Sequence, residues 1–196
     1  MRALVALLIW AAGPVWATQD AWPAFYDVAG VAADDVLNIR AAPNPGADII
    51  GTLAPDAVNV EVITPNQAET WGRVNVGERS GWVSLRFLTR QPGQWLGSYP
   101  QIARCSGTEP FWALSVGEDT VLSTPEGSST GVVVARTTPI NRRDRHGLML
   151  WLDDGLFQGV IAQQQCGDGM SDRVMGLEIN AFYGGDMLSG CCTLTP

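Results

Sequence analysis

Trp71-Gly72-Arg73-Val74-Asn75-Val76-Gly77-Glu78-Arg79-Ser80-Gly81-Trp82-Val83-Ser84 has the alternation of a β hairpin. Successive side chains of a strand point to opposite faces, so Val74 and Val76 share one face of 71–76, and Trp71, Arg73 and Asn75 share the other. The cluster Gly77-Glu78-Arg79-Ser80 supplies the turn, and beyond it Trp82 lies with Ser80 and Ser84. Both indoles thus fall on polar faces, where flat rings can stack on a ligand.

Working outward from the hairpin, further short β runs occupy 36–39, 49–53 and 58–63. Val58, Val60 and Val62 have common parity and are expected to face the core together with Val74 and Val76. Ala42-Pro43-Asn44-Pro45-Gly46 and Ala54-Pro55-Asp56 separate the runs, and five short strands so spaced predict a small barrel. Residues 18–24 read as an unstructured terminus, and Gln91-Pro92-Gly93-Gln94 with Gly97-Ser98-Tyr99-Pro100 marks a linker over 90–99.

Four segments in order, Leu37-Asn38-Ile39-Arg40-Ala41-Ala42-Pro43, Ile50-Gly51-Thr52-Leu53, Trp71-Gly72-Arg73-Val74 and Gly81-Trp82-Val83-Ser84-Leu85-Arg86-Phe87-Leu88, resemble the bacterial SH3 (SH3b) domain. The resemblance covers 25–89, about a third of the chain, and implies an SH3-like barrel that binds and does not catalyse. It implies peptidoglycan peptides or another envelope component as partner, with Trp71, Arg73, Trp82 and Phe87 as the expected ligand-binding residues. Gly72, at a position often aromatic in the family, is a departure.

Residues 100–196 also read as strands, over 111–116, 120–123, 132–137, 148–152, 157–162, 174–182 and 187–193, without helical periodicity. Trp112 and Trp151 lie in apolar runs and are expected in the core. The segments Cys105-Ser106-Gly107-Thr108-Glu109-Pro110-Phe111-Trp112, Cys166-Gly167-Asp168-Gly169-Met170-Ser171-Asp172 and Leu188-Ser189-Gly190-Cys191-Cys192 resemble an uncharacterised family of bacterial exported and lipoprotein domains, a likeness that implies no chemistry. The fold expected is therefore all-β, an SH3-like barrel followed by a second, disulfide-stabilised β domain.

Composition narrows the function. The 12 basic residues are all arginine against 20 acids, a net charge of -8, which disfavours a nucleic-acid partner. Arg2 precedes an apolar run to Ala12, then Gly13-Pro14 and Val15-Trp16-Ala17, the pattern of a secretory signal peptide over 1–17; the run is too short to span a bilayer. The chain is thus expected to be exported, periplasmic or secreted, with no membrane span once the signal is removed. Export favours disulfides for Cys105, Cys166, Cys191 and Cys192. Neighbouring side chains on a strand diverge, which disfavours a Cys191–Cys192 bond and leaves Cys105 and Cys166 each joined to one of that pair. With no C-x-x-C and His146 as the single histidine, no metal site or cofactor is expected.

Catalytic readings are weaker. A cysteine peptidase needs a free thiolate beside a histidine, whereas His146 reads as a surface residue of an arginine-rich loop that carries Arg136, Arg142, Arg143 and Arg145. Glu109, Asp168 and Asp172 could supply a carboxylate pair but suit turns. The expected function is a non-enzymatic envelope-binding protein; the alternatives are a hydrolase targeted by its SH3b half, and an inhibitor or assembly factor that binds another exported protein.

Overall fold

The computed structural model describes residues 19–195, so the expected signal peptide lies outside the described residues. The fold is all-β, and its single helical element there is a 3-10 turn at Leu85–Phe87.

Eight short strands form the N-terminal half. β1 (Ala24–Val28) is flanked by β4 (Val60–Val62) and β8 (Leu88–Arg90) in one sheet. The other sheet runs β3 (Ile49–Leu53), β2 (Leu37–Arg40), β7 (Arg79–Ser84), β6 (Trp71–Val76) and β5 (Thr64–Pro65). Tyr26, Ile39, Val62, Val74 and Val83 pack together between them. Alternation places Gly72, Val74, Gly81 and Val83 inward, as the hairpin pattern requires. Val58 departs from its expected place: it is exposed, because Asn59 takes a left-handed conformation (φ 56°) and breaks the parity before β4 begins.

The segment expected to be an unstructured terminus is ordered over its described part. Ala21 and Pro23 are buried, Asp20 bridges to Trp95, and Arg90 lies over the rings of Trp22 and Tyr26. Within the 90–99 stretch, the Gln94 side chain accepts from Phe25 N–H (2.7 Å) and donates to the Phe25 carbonyl (2.9 Å).

The C-terminal half is a closed antiparallel barrel of eight strands, each paired to its neighbours in sequence: β9 (Arg104–Thr108), β10 (Phe111–Ser115), β11 (Thr120–Thr124), β12 (Gly127–Thr137), β13 (Arg145–Leu152), β14 (Gly155–Cys166), β15 (Met175–Tyr183) and β16 (Asp186–Thr193). β9, which falls in a cysteine motif ahead of the first strand expected in this half, pairs with β10 and β16 and closes the barrel. Eight strands leave an interior that side chains can fill, here with Trp112, Leu150, Phe157, Ile161, Leu177 and Ile179. Trp151, expected in the core, is 63% exposed, because it alternates with the inward Leu150 and Leu152. The same parity turns His146 inward, and it is fully buried instead of lying on the surface.

Two disulfides, Cys105–Cys192 and Cys166–Cys191, tie the barrel. Cys105 and Cys192 oppose each other across the closing β9–β16 ladder, whereas Cys191, one residue earlier, faces outward to hold the end of β14. Opposite faces of β16 thus serve different bridges.

The two halves meet in a hydrogen-bonded seam. Glu61 accepts from Leu194 N–H (3.1 Å) and Thr195 N–H (3.3 Å), and Asp172 N–H donates to the Glu78 carbonyl (3.0 Å).

Candidate functional site

The β6–β7 hairpin sets three of the four expected ligand-binding residues on one outward face. Its register opposes Trp71 to Ser84, Arg73 to Trp82 and Asn75 to Ser80. Both indoles and Arg73 are half-buried, and the Arg73 guanidinium lies 5.8 Å from the Trp82 ring centroid. The Arg73 Nε is buried and has no hydrogen-bond partner. The product is a ledge on which the Arg73 cation lies against Trp82 and Trp71 shares the same strand face, a surface able to receive a flat or extended group that carries an acceptor.

The far end of this face is closed. Asn75 Nδ2 donates to the Val174 carbonyl (2.9 Å), Ser80 Oγ donates to Asn75 Oδ1 (2.7 Å), and Val174 N–H donates to Ser80 Oγ (3.0 Å). Asn75 and Ser80 therefore hold the barrel's 167–174 loop, which sequence spacing could not reveal across 99 residues. Phe87 ends the 3-10 turn, packs against the margin of the N-terminal core and lies under Arg86, whose guanidinium is 5.1 Å from its ring centroid.

The cysteine-containing motifs form one structural unit. Trp112 enters the barrel beside β9 and β16, and its indole N–H donates to the Ser189 carbonyl (3.1 Å). A Cβ on Gly107 would lie 2.2 Å from both that carbonyl oxygen and the indole nitrogen, so the motif's glycine is the room the indole occupies. Gly190 is confined in the same way, by the Ser106 carbonyl and the far edge of the indole. Cys105, Gly107 and Trp112 thus belong together with Gly190 and Cys192 for packing reasons.

Against this unit lies a concavity of about 540 Å³, lined by Gly107 and Trp112 themselves together with Arg104, Thr108, Phe111 and Asp168. The Asp168 carboxylate accepts from Met170 N–H, Ser171 N–H and the Ser171 hydroxyl, and the backbone donors hold its pKa below the usual range. A carboxyl so held is a turn former and a poor proton donor. Glu109 is exposed in the β9–β10 turn, and Asp172 is engaged through its backbone at the seam.

A second concavity, about 260 Å³, lies at the seam beside Glu61, Asn75, Arg173 and Thr195. Burial raises the Glu61 pKa, opposed by the hydrogen bonds from Leu194 and Thr195 and by the Arg173 charge. His146 closes one barrel end: its Nδ1 lies 2.8 Å from Thr138 Oγ1, and its ring meets the edge of Tyr99 at 5.4 Å. Burial lowers its pKa, opposed by the nearby Asp144 charge, and so favours the neutral imidazole.

All four cysteines are paired. Among the described residues no group of three His, Cys, Asp or Glu side chains could hold a metal ion, and no helix is long and apolar enough to cross a membrane. No family model, curated protein or solved structure matches the chain.

Proposed function

We propose that the protein is an exported, non-enzymatic binding protein of the bacterial envelope, in which residues 25–89 act as an SH3b module and the barrel as a disulfide-stabilised second domain. The observation that carries this reading is the Trp71–Arg73–Trp82 ledge: two half-buried indoles and a stacked guanidinium on the outer face of the hairpin. Peptidoglycan peptides fit it chemically, because they are extended and carry carboxylates that a guanidinium can bind through paired N–H groups. Phe87, at the end of the following turn, flanks the ledge in this reading. Two buried or partly buried disulfides suit an oxidising compartment, and they occupy every thiol that a cysteine nucleophile would require.

Sedimentation with purified peptidoglycan tests the proposal. Truncating a central anchor typically costs about 2 kcal/mol or more, so Trp71→Ala and Trp82→Ala are expected to weaken binding more than tenfold while circular dichroism stays unchanged. Wild-type binding by both variants would remove the ledge from the function, and release of muropeptides by the wild-type chain would replace this reading with that of a targeted hydrolase.

A further inference from the structure

Three rows of the barrel's outer wall across β12–β16 are uncharged and largely apolar, with five large apolar side chains left exposed. Its register sets outward side chains in three parallel rows: Val132 with Trp151 and Leu156; Ala135, Met149, Gln158, Phe182 and Met187; then Thr137, Gly147, Val160, Asn180 and Ser189. None is ionisable, in a chain of net charge -8. Val132, Trp151, Val160, Phe182 and Met187 each expose more than half their surface. A wall of this kind offers apolar surface on the order of 600 Å², the upper end of what a monomer's largest patch shows. With its polar edges it approaches the roughly 800 Å² per partner of a standard interface.

The wall is also dented. Gly147 points outward without a side chain, and between it, Met149, Val160 and Phe182 lies a groove of about 360 Å³, room enough for an aromatic ring. Knobs and a hollow on one surface are what a self-complementary two-fold contact requires, because each copy then supplies both.

Charge at the two ends of the wall selects the partner and its orientation. The end beside Thr137 and Gly147 carries Arg142 and Arg145, both paired to Asp144, and behind them Arg136 over the Tyr99 ring and Arg143 bonded to the Leu96 carbonyl; with Glu178 in the next outward row, four arginines face two carboxylates there and the end stays net positive. The opposite end carries Asp153 and Asp154 in the β13–β14 turn and Asp186 at the start of β16, with no basic residue among them. A two-fold axis through the middle of the wall sets each arginine end against a partner's aspartate end.

We infer that the protein associates through this wall with a second copy of itself, in an antiparallel two-fold dimer that buries Trp151 and Phe182 and pairs the arginine-rich loop with the opposing aspartate turns. The inference is independent of the ligand ledge on the N-terminal half.

Sedimentation velocity on the chain from residue 18 onward, which contains every described strand, tests it at micromolar concentration. A dimer is expected for the wild type, weakened at high salt as its ionic rim is screened. Trp151→Glu and Phe182→Glu are each expected to raise the dissociation constant at least tenfold with unchanged circular dichroism. Charge reversal tests the orientation. Arg142→Asp/Arg145→Asp alone and Asp153→Arg/Asp186→Arg alone should both be monomeric, whereas mixed one to one they should form a heterodimer, since each mixed contact again opposes unlike charges. A monomeric wild type, a dimer indifferent to Phe182→Glu, or variants that do not recombine would overturn the inference. So would a monomer that floats with phosphatidylglycerol vesicles, which would make the wall a lipid-binding face.

Discussion

Removing either disulfide should destabilise the barrel by an amount that loop closure sets. The Cys166–Cys191 bond closes a sequence separation of 25, and in the chain-entropy treatment a loop of that length is worth about 3.5 kcal/mol. The Cys105–Cys192 bond spans a separation of 87, but the other bridge short-circuits it to a path of about 60 residues, which gives about 4.3 kcal/mol. That bridge also lies across the ladder joining the first and last strands, which has only three residue pairs, so little else holds the barrel shut there. Cys166→Ala/Cys191→Ala and Cys105→Ala/Cys192→Ala, unfolded in urea with barrel-specific hydrogen exchange as a second readout, should lose about these amounts. With a denaturant slope of about 2 kcal/mol per molar, each midpoint falls by roughly 2 M. Protection in β1–β8 should change far less than protection in β9–β16. A loss below about 1 kcal/mol for either pair, with the fold intact, would refute the reasoning, since the unfolded barrel would then be constrained by something other than its bridges.

Gly107→Ala should displace the Trp112 indole and destabilise the barrel by about 3–5 kcal/mol, in the range of an aromatic-to-alanine truncation, with loss of near-ultraviolet circular dichroism. Glu61 titrates above its ordinary value in the fold, so the folded state keeps that proton longer than the unfolded state does, and stability through Glu61 falls as pH rises from about 4.5 through the raised value. Glu61→Gln should remove this component from urea midpoints measured between pH 4 and 8. His146 has the opposite sign: its pKa is depressed, the unfolded state takes up the proton first, and stability falls as pH drops below about 6.5. His146→Gln should flatten that acid limb, and an unchanged limb would show that the imidazole is not held neutral.

Alternation was decisive where one face of a strand is polar. In β6 it assigns Val74 and Val76 to the core face and Trp71, Arg73 and Asn75 to the other; Val74 is buried, Val76 packs partly buried against the same core, and Trp71 and Arg73 lie half-buried on the opposite face. It failed at Val58, where one left-handed residue, Asn59, resets the parity, and a single asparagine gives no warning of that in sequence. It also could not find β9, because Arg104-Cys105-Ser106-Gly107-Thr108 is poor in residues that favour strands. That segment is a strand because β10 and β16 supply partners on both sides and a disulfide pins it between them.

The barrel's outer wall was illegible for a different reason. Leu148-Met149-Leu150-Trp151-Leu152 is apolar at every position, so hydrophobicity carries no parity, and a strand buried on both faces is the natural reading. Only closure of the barrel distinguishes inside from outside, because eight strands leave an interior too narrow for both sets of side chains. Trp151 and Met149 then lie on the outer wall beside Val132 and Phe182, residues that are distant in the chain and individually unremarkable exposed apolar groups. Their adjacency is a product of register across five strands. The same closure turns His146 inward, so one geometric fact produces both the buried imidazole and the exposed apolar wall.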